Sequence, residues 1–351
     1  MPLKLDSVSI HSNPFVSSRG FGSVQLKSAV SSYDQIEFTP QIQSHIGFDT
    51  LKEYIQLFGN LKPPHIAKPL TDPNNWIIFD ENYLYYMDIK NGVDGQIQQE
   101  AFAALEDTEN ASLEILDLII EEYPAYFERD KHIVTNKITC ETWDLRENHP
   151  LRIAGMLLPN DLLLTRKIGD KYVLVAGSVH LPSKWSLIDK IGKNLAGVHY
   201  EEKDGKIHGF GVYKHALEKK VDSYFDLMPT GKLSIRFVPM VHPEPEISQH
   251  PSLYVNPNTE TYHSHNVGGK LWIRTERETF RKLSRNNDFI LMTIHPFYAP
   301  LSLVEERPAL AKNLLDFHLL MDEDYRNYRA DLKRFYDPLV EYLKMHSQNV
   351  A

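Results

Sequence analysis

Cysteine is nearly absent: the 351-residue chain contains one, Cys140. One thiol excludes an intramolecular disulfide framework. It also excludes a self-contained iron–sulfur cluster, which needs about four thiolates. A reducing compartment is the simplest expectation, so the chain reads as cytoplasmic. No stretch approaches the ~18 apolar residues of a membrane span, and the apolar core of a secretory signal is missing. Excess positive charge is missing too. Lys and Arg number 38 against 47 Asp and Glu, a net charge of −9. That balance argues against a nucleic-acid partner, which selects basic surfaces. No Gly-x-Gly-x-x-Gly follows a strand pattern, and there is no Walker A sequence, His-Glu-x-x-His, Gly-x-Ser-x-Gly or Cys-x-x-Cys. Dinucleotide sites, phosphate loops and the commonest hydrolase sites are thereby excluded.

What is present is a globular composition, 42% hydrophobic and 24% charged, with length enough for a large core. Residues 1–33 are Ser-rich with few scattered charges and read as a flexible or loosely packed arm. Arginine is too scarce there for more than weak support of organellar import. TLKEYIQLFGN (50–60) reads as a short helix ended by Gly59, and 62–73 as a Pro-rich extended stretch. Apolar residues recur at helical intervals over 76–92. Residues 96–130 read as two helices broken around Asp107–Asn110, the second running from Ala111 and stopping before Pro124.

The pattern turns to strands after Ile133. HIVTNKITCETWDL precedes DLLLTRKIGDKYVLVAGSVHLP, a hairpin with Gly169-Asp170 at its tip. KLSIRFVPMVH (232–242), KLWIRTERETFRKL (270–283) and NDFILMTIHPFYAPL (287–301) follow, and Glu305–Met345 is amphipathic and helical. The order gives an α+β fold: a helical layer over 50–130, a mainly antiparallel sheet over 133–301, and C-terminal helices over 305–345.

The sheet is interrupted by SVHLPSKWSLIDKIGKNLAGVH (178–199), whose spacing predicts one helix from an N-cap at Ser183 to His199. Leu187, Ile191, Leu195 and Val198 form its core stripe. His199 falls one turn beyond Leu195, beside Gly192 and Ala196, small residues that would let a flat ring approach. Two readings stand. A histidine at a helix C-terminus interacts favourably with the last carbonyls without any ligand. That reading carries more weight from the pattern alone; the other is an axial haem ligand, with Lys184, Lys190 and Lys193 placed to meet carboxylates. In LWIRTERETFRKL (271–283), strand alternation puts Arg274 and Glu276 on one face, with Thr275 and Arg277 on the other. Arginines hold carboxylates well, but ion pairs with Glu276 and Glu278 account for the same pattern. His263 and His265 in TYHSHN could form a strand pair on a metal, with no matching carboxylate.

The run from Arg152 through RIAGMLLPNDLLLTR and YVLVAGSVHLPSKWSLIDKIGKNLAGVH resembles the haem-dependent oxidative N-demethylase alpha-subunit family. PLTDPNNWIIFDENY (69–83), RTERETFRKL (274–283) and DEDYRNYRADLKRFYDPLVEYL (322–343) extend the likeness collinearly over about residues 65–345. The resemblance implies one haem-binding domain over 34–345, with a PAS-like antiparallel sheet enclosing haem b. It implies oxidation of a small secondary methylamine with O₂, giving the shorter amine and formaldehyde. By position, His199 looks like the iron ligand, and Lys190, Trp185, Arg274 and Arg277 look like pocket or propionate residues. His180, His295 and Tyr298 are candidates for the distal side. Electrons would come from a separate protein carrying NADPH, FMN and 2Fe-2S sites, which this chain lacks the motifs to hold. The sequence departs from the family's pattern at Val267, where a Trp is usual, at Glu278 for a Gln, and at His180 for a Cys. A haem-binding sensor or carrier without turnover is the competing expectation.

Overall fold

The computed structural model describes residues 25–26, 67–70, 76–79, 82–203, 206–209, 217–253, 260–321, 323, 326 and 331–347. The arm expected over 1–33, but for Gln25–Leu26, and the helix expected at 50–60 lie outside the described residues. The elements in order are β1 (Gln25–Leu26), β2 (Lys68–Pro69), α1 (Tyr83–Ala101), β3 (Phe102–Ala104), α2 (Glu109–Glu122), β4 (Phe127–Asp130), β5 (Ile133–Asn136) and β6 (Glu141–Asp144). Next come α3 (Pro150–Leu157), β7 (Asp161–Ile168), β8 (Lys171–Ser178), α4 (Leu195–His199), β9 (Tyr200–Lys203), β10 (Lys206–Gly209), α5 (Glu218–Leu227) and β11 (Leu233–His242). The chain finishes with α6 (Val267–Lys270), β12 (Trp272–Lys282), β13 (Phe289–Pro300), a 3₁₀ turn (Leu301–Glu306), α7 (Pro308–Leu319) and α8 (Leu332–His346).

The expected α+β organisation is present. Six strands and the two-residue β2 form one sheet, in the order β2-β11-β12-β13-β7-β8-β3, with every neighbouring pair antiparallel. A smaller sheet runs β1-β6-β5-β4, and β9 and β10 make a separate hairpin. The β7–β8 hairpin turns where expected, with Gly169 at φ 64°, a conformation glycine adopts without penalty.

Register fixes which residues share a face, because strand side chains alternate. One face of the sheet carries Arg274, Glu278 and Phe280 of β12, Arg236 of β11 and Ile290, Met292 and Ile294 of β13. The other carries Thr275, Arg277 and Thr279, with Ile235, Phe237, Thr293 and His295 beside them. This second face packs against α2 and α3 around Ile115, Ile119, Ile153, Leu162 and Leu291, and at its far end against α7 and α8. Every residue of α3 is buried. A Cβ on Gly155 would sit 2.1 Å from Ser178 Oγ, so only glycine lets α3 lie on β8.

Four local expectations need correcting. The helix expected at 76–92 begins at Tyr83, and it continues to Ala101 across a non-helical Ile97. FAA, read as helix, is instead strand β3, paired along Ala176–Ser178 of β8. Alanine's helix propensity is a fraction of a kcal/mol per residue, less than the backbone pairing it would forgo. Helices α3 and α5 were unforeseen: eight and ten residues are too few to show a firm period. The fourth correction concerns the expected helix at 183–199.

Candidate functional site

That helix forms only over its last five residues, Leu195–His199. Ser183 is no N-cap. It bridges to Gln249, whose N–H donates to the Pro182 carbonyl at 2.9 Å and whose carbonyl accepts from Lys184 at 3.1 Å. Lys184 (φ 60°) and Gly192 (φ 80°) both adopt left-handed conformations that no helix accommodates. The physical competitor is the exposed edge of β8. Strand β3 covers only its end, so Leu174 would be left with unpaired backbone groups. Gly192 donates to the Leu174 carbonyl at 2.8 Å, and Leu174 donates to the Lys193 carbonyl at 2.9 Å. Gly192 is therefore a turn residue satisfying a sheet edge, not a gap beside His199 on a helix.

The core stripe survives in shortened form. Leu187 and Ile191 are buried within a single turn, against Leu163, Leu174 and Ile294. A Cβ on Gly177 would come within 2.8 Å of Leu187, so the glycine of VAGS makes room for that side chain. Asn194 caps the short helix, its Oδ1 accepting from the Gly197 N–H at 2.8 Å. None of the five helical residues is fully buried. Trp185, Ile188, Val198 and Met292 are likewise half-buried. Apolar side chains thus pack between segment and sheet with part of their surface left uncovered.

His199 ends this segment. Its Nδ1 lies 2.6 Å from the Leu195 carbonyl oxygen, an acceptor only, so Nδ1 carries the proton and the lone pair belongs to Nε2. Burial first, then the positive charges of Arg236 and Lys190, pull its pKa down to about 4, against the bond to Leu195. The imidazole is neutral at physiological pH, the form that ligates metal. It is strongly desolvated though not fully covered.

Arg236 is the residue that sequence reasoning missed. It lies opposite Glu278 in the β11–β12 register, bonds it through Nε, and stacks over Phe280 with its guanidinium carbon 5.3 Å from the ring centre. Burial pushes the Glu278 carboxyl up, and Arg236 opposes that. The available signal was Arg236 itself, the single charge inside an otherwise apolar strand, LSIRFVPMV.

The other expected site residues disperse. Lys190 and Trp185 belong to the His199 segment. Arg274 shares the sheet face with Arg236 but is fully buried. It donates to the Ile247 and Leu181 carbonyls, each at 2.7 Å, to the Tyr298 hydroxyl at 2.9 Å and to Glu276 at 3.0 Å. Tyr298 also accepts from Gln249 at 3.3 Å. Arg277 points the opposite way and donates to the Trp76 carbonyl at 3.0 Å. His295 and His180 also lie on that far side, His180 beside Asp94 of α1 at 3.3 Å. His263 and His265 are exposed, with rings stacked 5.3 Å apart, on a turn rather than a strand. Among the described residues, no group of three or more His, Cys, Asp or Glu could hold a metal ion alone.

A metal held here would therefore bring most of its own ligands. One neutral, backbone-oriented imidazole, an apolar wall and two cations form the kind of site that accepts a flat metal macrocycle bearing carboxylates. The comparison with protein families agrees. The chain belongs to the haem-dependent oxidative N-demethylase, alpha subunit-like family, whose model it matches over residues 67–338. That membership implies a haem-dependent, oxidative N-demethylase-like function, and the residues around His199 fit a haem. No curated protein matches the chain. No helix among the described residues is long and apolar enough to cross a membrane.

Proposed function

We propose that this chain is the haem-bearing component of an oxidative N-demethylase acting on a small secondary methylamine. The observation that carries the reading is the bond from His199 Nδ1–H to the Leu195 carbonyl, which fixes the tautomer and aims the lone pair of Nε2. His199 would hold the iron of haem b through Nε2. Lys190 and Arg236 would face its carboxylates, with Trp185, Ile188, Val198 and Met292 against the ring. Bound there, haem supplies dioxygen activation for oxidation of the N-methyl carbon.

The chain's own residues do the rest. The Leu195 carbonyl holds the ligand ring in one orientation and raises its basicity. Apolar side chains from β13 and the 183–199 segment exclude water from the reacting centre. Arg274 ties β12 to the loops at Leu181 and Ile247, which keeps the segment's entry point rigid. In this reading the arrangement is a PAS-like sheet with its ligand helix reduced to five residues. Electrons arrive from a separate reductase with NADPH, FMN and 2Fe-2S sites.

The test is to load the purified chain with haem, supply a reductase of that type, and titrate dimethylamine in air. Formaldehyde released in step with amine consumed is the expected result. An amine-dependent spectral shift without formaldehyde would make the protein a haem sensor or carrier. A chain that stays colourless when supplied with haem would overturn both readings.

A further inference from the structure

The second face of the sheet carries polar groups that the reaction above does not use. His180, Asn160 and His295 are 0%, 0% and 1% exposed. The registers that pair Ile294 with Asp161 and Leu162 with Ser178, continued by one and two residues, set these three side by side. Contacts with α1 agree. His180 Nε2 meets Asp94 Oδ1, Lys90 donates to the Asn160 carbonyl at 2.5 Å, and Tyr86 meets the His295 ring edge-on at 4.6 Å. Tyr86, Lys90 and Asp94 recur every four residues, so one stripe of α1 overlies the whole row.

Yet the row's own atoms are orphaned. His180 Nδ1, Asn160 Oδ1 and Nδ2, and both ring nitrogens of His295 have no hydrogen-bond partner among the described residues. A buried polar atom without a partner keeps its full desolvation cost. Five on three adjacent residues call for a bridging species. The charges around the row differ in sign along it. Asp94 and Asp161 lie at the His180 end, Lys90 stands over Asn160, and Arg277 lies opposite His295. An ion of either sign would be opposed at one end. A small neutral molecule that donates and accepts is favoured along the full length.

We propose that His180, Asn160 and His295 line an internal site for a file of water molecules, hydrogen-bonded from the Asp94–His180 pair to His295. The file gives the centre of the sheet a route for proton exchange. Its solvent end is Asp94, whose side chain is 10% exposed. The proposal is independent of the reaction assigned above, since the row and His199 lie on opposite faces of the sheet.

Exchange between water and the His295 ring proton, measured by NMR on the full chain with isotope-labelled histidine, tests the file. The signal is identified by its loss in His295→Phe. Exchange faster than global opening is expected, slowed at least about tenfold in Asn160→Leu. Exchange in the wild type no faster than global opening, or unchanged in Asn160→Leu, overturns the proposal. Should Asn160→Leu not fold, high-resolution electron density of the wild-type chain decides. Ordered water within hydrogen-bond distance of at least two of the three residues supports the file, and a dry row or a different molecule refutes it.

Discussion

Beneath α1, charged side chains are held by one another. Arg152 is fully buried and donates to Asp94 at 2.7 Å and to Asn148 at 2.5 Å, while Lys90 donates from Nζ to three backbone carbonyls. Through the sheet, around His199, the opposite economy holds. The helix that ends at His199 has five residues, none of them fully buried, and the apolar side chains beside it are half-buried. The first region is held by these bonds, because losing one partner leaves the other charge buried and uncompensated. The second leaves part of its apolar surface uncovered by its own side chains, a condition for accepting something else. Substitutions on the two faces should therefore fail differently, one by loss of cofactor and the other by loss of fold.

The largest effect belongs to His199. His199→Ala should lose the wild-type Soret band and iron-ligand spectrum, and amine-dependent formaldehyde release with them. The melting temperature of the haem-free chain should shift little, because the residue ends a five-residue helix with no fully buried member. Absorption spectra and thermal melts of both forms check this. A variant that keeps the wild-type spectrum would remove His199 from the ligand role.

Arg152→Met should do the reverse. It leaves Asp94 buried with one partner fewer, and breaking a buried pair this way costs about 3–5 kcal/mol. Denaturant midpoints should fall accordingly, while whatever fraction remains folded keeps the wild-type haem spectrum. A spectrum altered at unchanged stability would mean the two faces are not separate.

Asp94 adds a pH signature to the same face. Burial alone would raise its carboxyl, but the bond and charge of His180, with those of Arg152, bring it down to about 2 from 3.8. A folded pKa below the unfolded one means the unfolded chain binds the proton more readily. The stabilisation is therefore fully present above pH ~4 and is lost as pH falls toward ~2. Its size is on the order of 2 kcal/mol. Asp94→Asn should flatten this part of the stability–pH curve between those limits, measured by urea melts. An unchanged slope would show that Asp94 is not held as described.

Much of this architecture could be read in the sequence, and the reasons differ by element. The β7–β8 hairpin, β11, β12 and β13 announced themselves through length, alternation and the Gly-Asp tip. Helix α2 was bounded by its own Ile/Leu period and by Pro124. His199 could be singled out because its helix end is real. What failed was the interpretation of Gly192, because a glycine within an i, i+4 pattern says nothing about the unpaired sheet edge that draws it out of a helix. Arg236 was hidden for a related reason. Its importance lies in cross-strand register with Glu278, and register is not written within one strand. The row under α1 required three segments to be aligned at once.

The smallest predicted effect tests how tightly the open face is set. Gly177 lies under Leu187, and an added methyl would approach Leu187 Cδ1 to 2.8 Å and Leu163 Cδ2 to 3.2 Å. Both contacts are the ends of flexible side chains rather than backbone. Gly177→Ala should therefore be accommodated by a rotation of Leu187, at about 1 kcal/mol, the low end of overpacking costs. Leu187 carries the turn that leads to Ile191 and the capped helix, so displacing it should shift the haem spectrum or weaken haem retention several-fold while the fold persists. Gly155→Ala, on the closed face, offers the control. Its methyl would overlap Ser178 beneath α3, so stability should drop further there and the haem spectrum should hold. If Gly177→Ala lowers stability as much as Gly155→Ala without touching the spectrum, the looseness inferred around His199 is wrong.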